Sequence, residues 1–81
     1  MLFLIRADSF SESHELAPGA TPEQVRALVA GHHPPFNLVL STGDWCHEYQ
    51  VTEDCQVQGI GQYENPGEAV AACVTDHERH T

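Results

Sequence analysis

Six histidines and three cysteines are the side chains in this 81-residue chain best suited to ligate metal or carry nucleophilic chemistry. Cys73 and His77 stand four residues apart, a spacing that stacks two ligands on one face of a helix. Cys46, His47 and Cys55 would have to complete such a site. A structural zinc site ordinarily carries two tight ligand pairs, such as C-x2-C with H-x3-H. This chain has one loose pair, and in a strand the adjacent Cys46 and His47 point to opposite faces. The expectation is therefore core thiols and exposed imidazoles, with no metal and no cofactor; a small metal-binding protein stands as an alternative. Cys73 falls on an apolar helical stripe and reads as a small core residue. The odd cysteine count argues for free thiols in a reducing compartment.

No catalytic signature accompanies these residues. There is no nucleophile elbow, no glycine-rich phosphate loop and no paired-carboxylate motif. Gly59-Ile60-Gly61 lacks the third glycine and the following helix turn of a dinucleotide fingerprint. A chain this short also has little interior in which to shield an active site, so no enzyme is expected.

Charge is the strongest signal. Twelve acids face three arginines and no lysine, for a formal net charge of −9. Solubility of a small domain needs roughly 2–8 net charges, so the imbalance points beyond solubility. Such a field repels nucleic acid and is drawn to basic surfaces, chiefly those that neutralise phosphates. The expected partner is a basic nucleic-acid-binding protein; nucleic acid itself and membranes are not expected partners. If all six histidines protonate, the charge moves from −9 to −3, so binding by charge should weaken near pH 5.

The elements that would position these groups follow from local pattern. Met1–Ala7 reads as a strand, and residues 8–20 lack periodicity and read as a loop. Thr21-Pro22-Glu23-Gln24 is a helix start, with Thr21 as N-cap and Gln24 at the capping-box position. Val25, Leu28 and Val29 form its apolar face, and Gly31 with His32-His33-Pro34-Pro35 ends it in a solvated connection. Phe36–Leu40 and Trp45–Val51 read as a hairpin around Ser41-Thr42-Gly43-Asp44. Trp45, His47, Tyr49 and Val51 share one face, and Trp45 and Tyr49 are expected as core residues. Thr52-Glu53-Asp54 is a turn and Cys55–Tyr63 a further strand. Asn65-Pro66-Gly67-Glu68 starts a second helix, whose Val70, Cys73, Val74 and His77 make an apolar stripe, with residues 78–81 fraying.

The expected architecture is one α+β domain over residues 1–81, ordered β-α-β-β-β-α. A mostly antiparallel four-stranded sheet would carry both helices on one face and leave the other open. The longest apolar run, Met1–Ile5, is far short of the about 20 residues a span needs, and no basic n-region precedes it. A cytoplasmic location in a bacterial host cell is expected.

In size, negative charge, scarcity of cations and compact α+β layout, the chain resembles the small acidic anti-CRISPR proteins of phages and mobile elements. That resemblance implies a stoichiometric inhibitor that binds a CRISPR-Cas surveillance complex or nuclease and blocks target DNA, without a cofactor. The segment Gly61-Gln62-Tyr63-Glu64-Asn65-Pro66-Gly67-Glu68-Ala69-Val70 is similar to the strand–turn–helix of HicB-type antitoxins. The chain lacks the basic DNA-binding extension of that family, so this likeness implies an antitoxin-like regulatory module rather than a repressor. A domain whose charge only keeps it soluble is the blandest alternative. On physical grounds the partner-binding residues are Glu48, Glu53, Asp54, Glu64 and Glu68, with Tyr63 as an aromatic anchor. The protein is expected as a monomer or a homodimer paired through a strand edge.

Overall fold

The computed structural model describes residues 1–17 and 19–80. Its strands are β1 (Leu2–Ala7), β2 (Phe10–Glu15), β3 (Phe36–Thr42), β4 (Trp45–Val51), β5 (Gln56–Val57) and β6 (Gly61–Gln62). The helices are α1 (Pro22–Val29), between β2 and β3, and α2 (Pro66–Arg79), after β6. The six strands form one antiparallel sheet in the order β2-β1-β3-β4-β5-β6.

The α+β class matches the sequence expectation, but the four-stranded sheet and the element order β-α-β-β-β-α do not. Two differences account for this. The segment expected as a loop over residues 8–20 contains β2, and Pro18 within it lies outside the described residues. β2 reads Phe-Ser-Glu-Ser-His-Glu, with no buried residue, so it lacks the apolar alternation that marks a strand. Its unbroken ladder with β1, from Leu2 opposite Glu15 to Ala7 opposite Phe10, holds it instead. The single strand expected over Cys55–Tyr63 is two short ones, separated by a turn in which Gly59 takes φ 80°. The frayed end expected at residues 78–81 is shorter than that, because α2 continues through Arg79. Thr81 lies outside the described residues.

Alternation along the three central strands builds the core. Phe3 sits opposite Leu40, Ile5 opposite Leu38, Leu38 opposite Tyr49 and Phe36 opposite Val51. All are buried, and together they make one face of the sheet. Val25 and Val29 of α1, with Val70, Cys73 and Val74 of α2, join the same cluster. Each fully buried Val, Leu, Ile or Phe contributes about 1.5–3 kcal/mol of transfer free energy.

Both helix starts take the expected form. In α1 the Thr21 hydroxyl accepts from the Gln24 backbone N–H at 3.3 Å, and the Gln24 side-chain Oε1 accepts from the Thr21 N–H at 2.8 Å. In α2 Asn65 accepts from the Glu68 N–H at 2.9 Å. The β3–β4 loop is only Gly43-Asp44, with positive φ at Gly43 alone. That is the pattern of a II′ hairpin, which places glycine first.

The outer face of the sheet carries exposed Arg6, Asn37, Cys46, Glu48 and Gln50. The two helices and their buried residues lie on the other side, so the fold separates a packed face from an open one. No helix among the described residues is long and apolar enough to cross a membrane.

Candidate protein-binding surface

The turn after β4 and the strand–helix join before α2 are brought side by side. The Cys55 N–H donates to the Thr52 carbonyl at 2.9 Å, which closes the turn that carries Glu53 and Asp54. The Tyr63 N–H then donates to the Cys55 carbonyl at 3.1 Å, and the Gln62 amide donates to the Asp54 carbonyl at 3.4 Å. Glu53, Asp54 and Glu64 are exposed along this ridge, and none of them has an ion-pair partner among the described residues. Tyr63 is half-buried, packed against the core, and lines a shallow concavity with Gln62, Glu64, Asn65 and Glu68.

Two of the expected acids stand apart from this ridge. Glu48 is exposed on the outer sheet face, opposite Val39, and lines a separate depression with Asn37, Gln50 and Gln58. Glu68 borders the concavity, but its carboxylate is engaged by Arg26 of α1, with Nε–Oε1 at 2.7 Å and Nη2–Oε2 at 3.3 Å. This two-pronged pair ties α1 to α2 and removes Glu68 from the uncompensated charge. A Cβ at Gly67 would meet Arg26 Cγ at 3.3 Å, so glycine there makes room for the arginine stem.

The expectation of exposed imidazoles fails at His77. Its side chain is 0% exposed, on the stripe that packs α2 against the sheet. His77 Nδ1 lies 2.6 Å from His47 Nδ1, and His77 Nε2 lies 2.8 Å from the Thr42 hydroxyl. The Tyr49 hydroxyl donates to Asp76 Oδ2 at 2.7 Å beside them, and the His80 ring packs edge-on to His47 at 6.0 Å. Burial, and then the neighbouring His47, hold the His77 pKa below its ordinary range. Burial and the Asp76 carboxylate push the Tyr49 hydroxyl upward, so it stays a proton donor. The full move from −9 to −3 therefore needs more acid than six free histidines would. The sequence held a signal for this pair: His77 closes the apolar stripe of α2, and His47 shares a face with Tyr49 and Val51.

Trp45, expected in the core, is 54% exposed at the hairpin end, with its ring stacked on that of His47 at 6.5 Å between centroids. The inward face there has run past the end of the core. His32, expected in a solvated connection, stacks on Phe10 at 4.5 Å, and its Nε2 lies 3.2 Å from Glu12 Oε2.

The metal-ligand set read from the sequence is not assembled. Cys46 is exposed on the outer face, while Cys73 is buried under α2 on the other. Cys55 is buried in the turn before β5. Among the described residues, no group of three or more His, Cys, Asp or Glu is placed to hold a metal ion. Burial pushes the Cys73 thiol up to about 12, with Asp76 adding to it, so that sulfur is a packing group.

No family model, no curated protein and no solved structure matches this chain.

Proposed function

We propose that this chain is a stoichiometric inhibitor that works by binding a protein, laying its acidic ridge on the basic nucleic-acid-binding surface of its partner. The partner class is that of the anti-CRISPR resemblance, a CRISPR-Cas surveillance complex or nuclease. The inhibitor turns over no substrate and uses no cofactor; its place of action is the cytoplasm of the bacterial host.

One observation carries this reading. Glu53, Asp54 and Glu64 stand exposed along one ridge without a cation partner among the described residues, next to the half-buried Tyr63. Uncompensated acids repel one another and cost stability in the free protein. A basic partner relieves that repulsion, and the aromatic ring supplies apolar contact area at the centre of a charged patch. Glu48, on the open sheet face, extends the acidic field beyond the ridge.

The test is retention of partners from a bacterial lysate with an active CRISPR system on the tagged chain, washed at low and at high salt. A Cas subunit released by salt or by competing DNA supports the reading. A partner that has no nucleic-acid site, or whose binding ignores both salt and DNA, overturns it.

A further inference from the structure

Among the described residues β2 is a sheet edge left open, and its pattern of free backbone groups is self-complementary. The Leu16 N–H donates to the Met1 carbonyl at 2.8 Å, and the Met1 amino group donates to the Leu16 carbonyl at 2.9 Å. In an antiparallel ladder the inward-facing pairs alternate. The pairs that exchange hydrogen bonds with β1 are therefore Phe3 with His14, Ile5 with Glu12 and Ala7 with Phe10. The N–H and C=O groups of Ser11, Ser13 and Glu15 then point away from the sheet. All three residues are exposed. The strand has no proline, glycine or lysine, and its register with β1 runs without a bulge. Proline, lysine and bulges are devices that blunt an edge; of the remaining devices β2 carries the charges of Glu12 and Glu15. The opposite edge, β6, is two residues long.

We infer that β2 pairs antiparallel with β2 of a second copy of this chain about a two-fold axis through Ser13, which joins two six-stranded sheets into one. Strand parity allows only registers that place outward residues opposite outward residues. The register centred on Ser13 sets Ser13 against the partner's Ser13 and Ser11 against the partner's Glu15, each pair exchanging both its N–H···O bonds. On the helix-bearing face it sets Glu12 against the partner's His14 and Phe10 against the partner's Leu16. Both contacts are complementary: carboxylate acceptor with imidazole donor, and apolar with apolar. A shift of two residues one way sets Glu12 against the partner's Glu12. The opposite shift sets Glu12 against the partner's Leu16 and His14 against the partner's His14. Charge and polarity thus select this register over its two neighbours.

His14 supports the same pairing. Its Nε2 is buried and has no hydrogen bond, with Glu12 Oε2 3.5 Å away. Buried side-chain nitrogens ordinarily find a partner, and the pairing brings a second carboxylate beside this ring.

The dimer forms against the repulsion of two chains of −9 each, so it tightens as salt rises from low to moderate ionic strength. Binding of the acidic ridge to a basic protein has the opposite salt dependence, so the two ideas fail separately.

Sedimentation equilibrium of the full chain across protein concentration, at moderate salt, reads the dimer directly. Ser13→Pro removes an outward N–H while the bonds to β1 stay, so the variant folds with an unchanged circular dichroism spectrum and its dimer dissociation constant rises about tenfold or more. In a Cys46→Ser background, Ser13→Cys oxidises to a disulfide-linked dimer faster than Ser11→Cys, because only position 13 meets its own copy. A monomer at all concentrations overturns the inference. So does a dimer that Ser13→Pro leaves intact, and so does equal cross-linking at positions 11 and 13.

Discussion

The Nδ1 atoms of His47 and His77 lie 2.6 Å apart, one on β4 and the other on α2. A contact this short needs one N–H and one lone pair between the rings. The Thr42 hydroxyl fits either tautomer of His77, since it can donate to Nε2 or accept from it. Two imidazolium rings would set N–H against N–H and break the contact. Burial first, and the neighbouring His47 ring second, hold His77 below the ordinary 6.5, so the native state resists protonation here. Because the unfolded chain takes up this proton more readily, stability from His77 is full above about pH 6.5 and falls as the pH drops below it. The check compares melting temperatures of the native chain and His77→Leu between pH 7.5 and 5.0. The native chain should lose stability relative to the variant across that window, whereas parallel pH profiles would mean that the His77 proton affinity is the same folded and unfolded.

The three thiols should behave as three different groups. Cys46 is exposed on the open face, Cys55 is buried in a turn, and Cys73 is buried with its thiol pushed up to about 12. A thiol reagent reacts with the thiolate, which is scarce and sheltered at Cys73. In native buffer at pH 8, mass spectrometry should find modification at Cys46, and at all three positions only in denaturant. Native labelling of Cys73 on the same timescale as Cys46 would place α2 in rapid local opening.

The sequence made the helices legible and the outer strands illegible, for one physical reason. Helix starts are local: Thr21 with Gln24, and Asn65 with Glu68, satisfy backbone groups within one turn. The central strands β3 and β4 were equally legible, because they bury one face and so alternate. β2 buries no residue, and its place beside β1 is set by the backbone ladder, with Phe3 and His14 adding one ring contact across it. Nothing in the residue types of Phe10–Glu15 separates such a strand from a polar loop. The site divides in the same way. Exposure of Glu53, Asp54 and Glu64 follows from turn chemistry near each residue. The engagement of Glu68 by Arg26 spans 42 positions, and the meeting of His47 with His77 spans 30. Such pairings are fixed by how α2 lies on the sheet and on α1.

Arg26 and Glu68 should be energetically coupled, but only modestly. Their two contacts are well formed, yet both side chains are partly exposed to water, which screens the charges. Arg26→Met keeps the stem that lies over Gly67 and removes the charge. A double-mutant cycle with Glu68→Gln, read by urea unfolding, should give a coupling of about 0.5–1 kcal/mol. A value near zero would assign the helix–helix contact to packing alone.

The same engagement makes the acids of the proposed binding surface unequal. Glu53 and Asp54 present charge that no cation among the described residues offsets, whereas Glu68 already shares its charge with Arg26. An approaching basic surface is steered by the uncompensated charges, which act at long range and are screened by salt. Glu53→Lys with Asp54→Lys should therefore slow association with the retained nucleic-acid-binding partner by about tenfold at low salt and flatten the dependence of the on-rate on ionic strength. Glu68→Gln should change the on-rate far less, and the off-rate only if Tyr63 and its concavity shift with the loss of the Arg26 contact. Surface plasmon resonance at several salt concentrations separates these outcomes. Equal effects of the two substitutions would move the contact toward α2, and unchanged rates for both would place the partner on another face of the molecule.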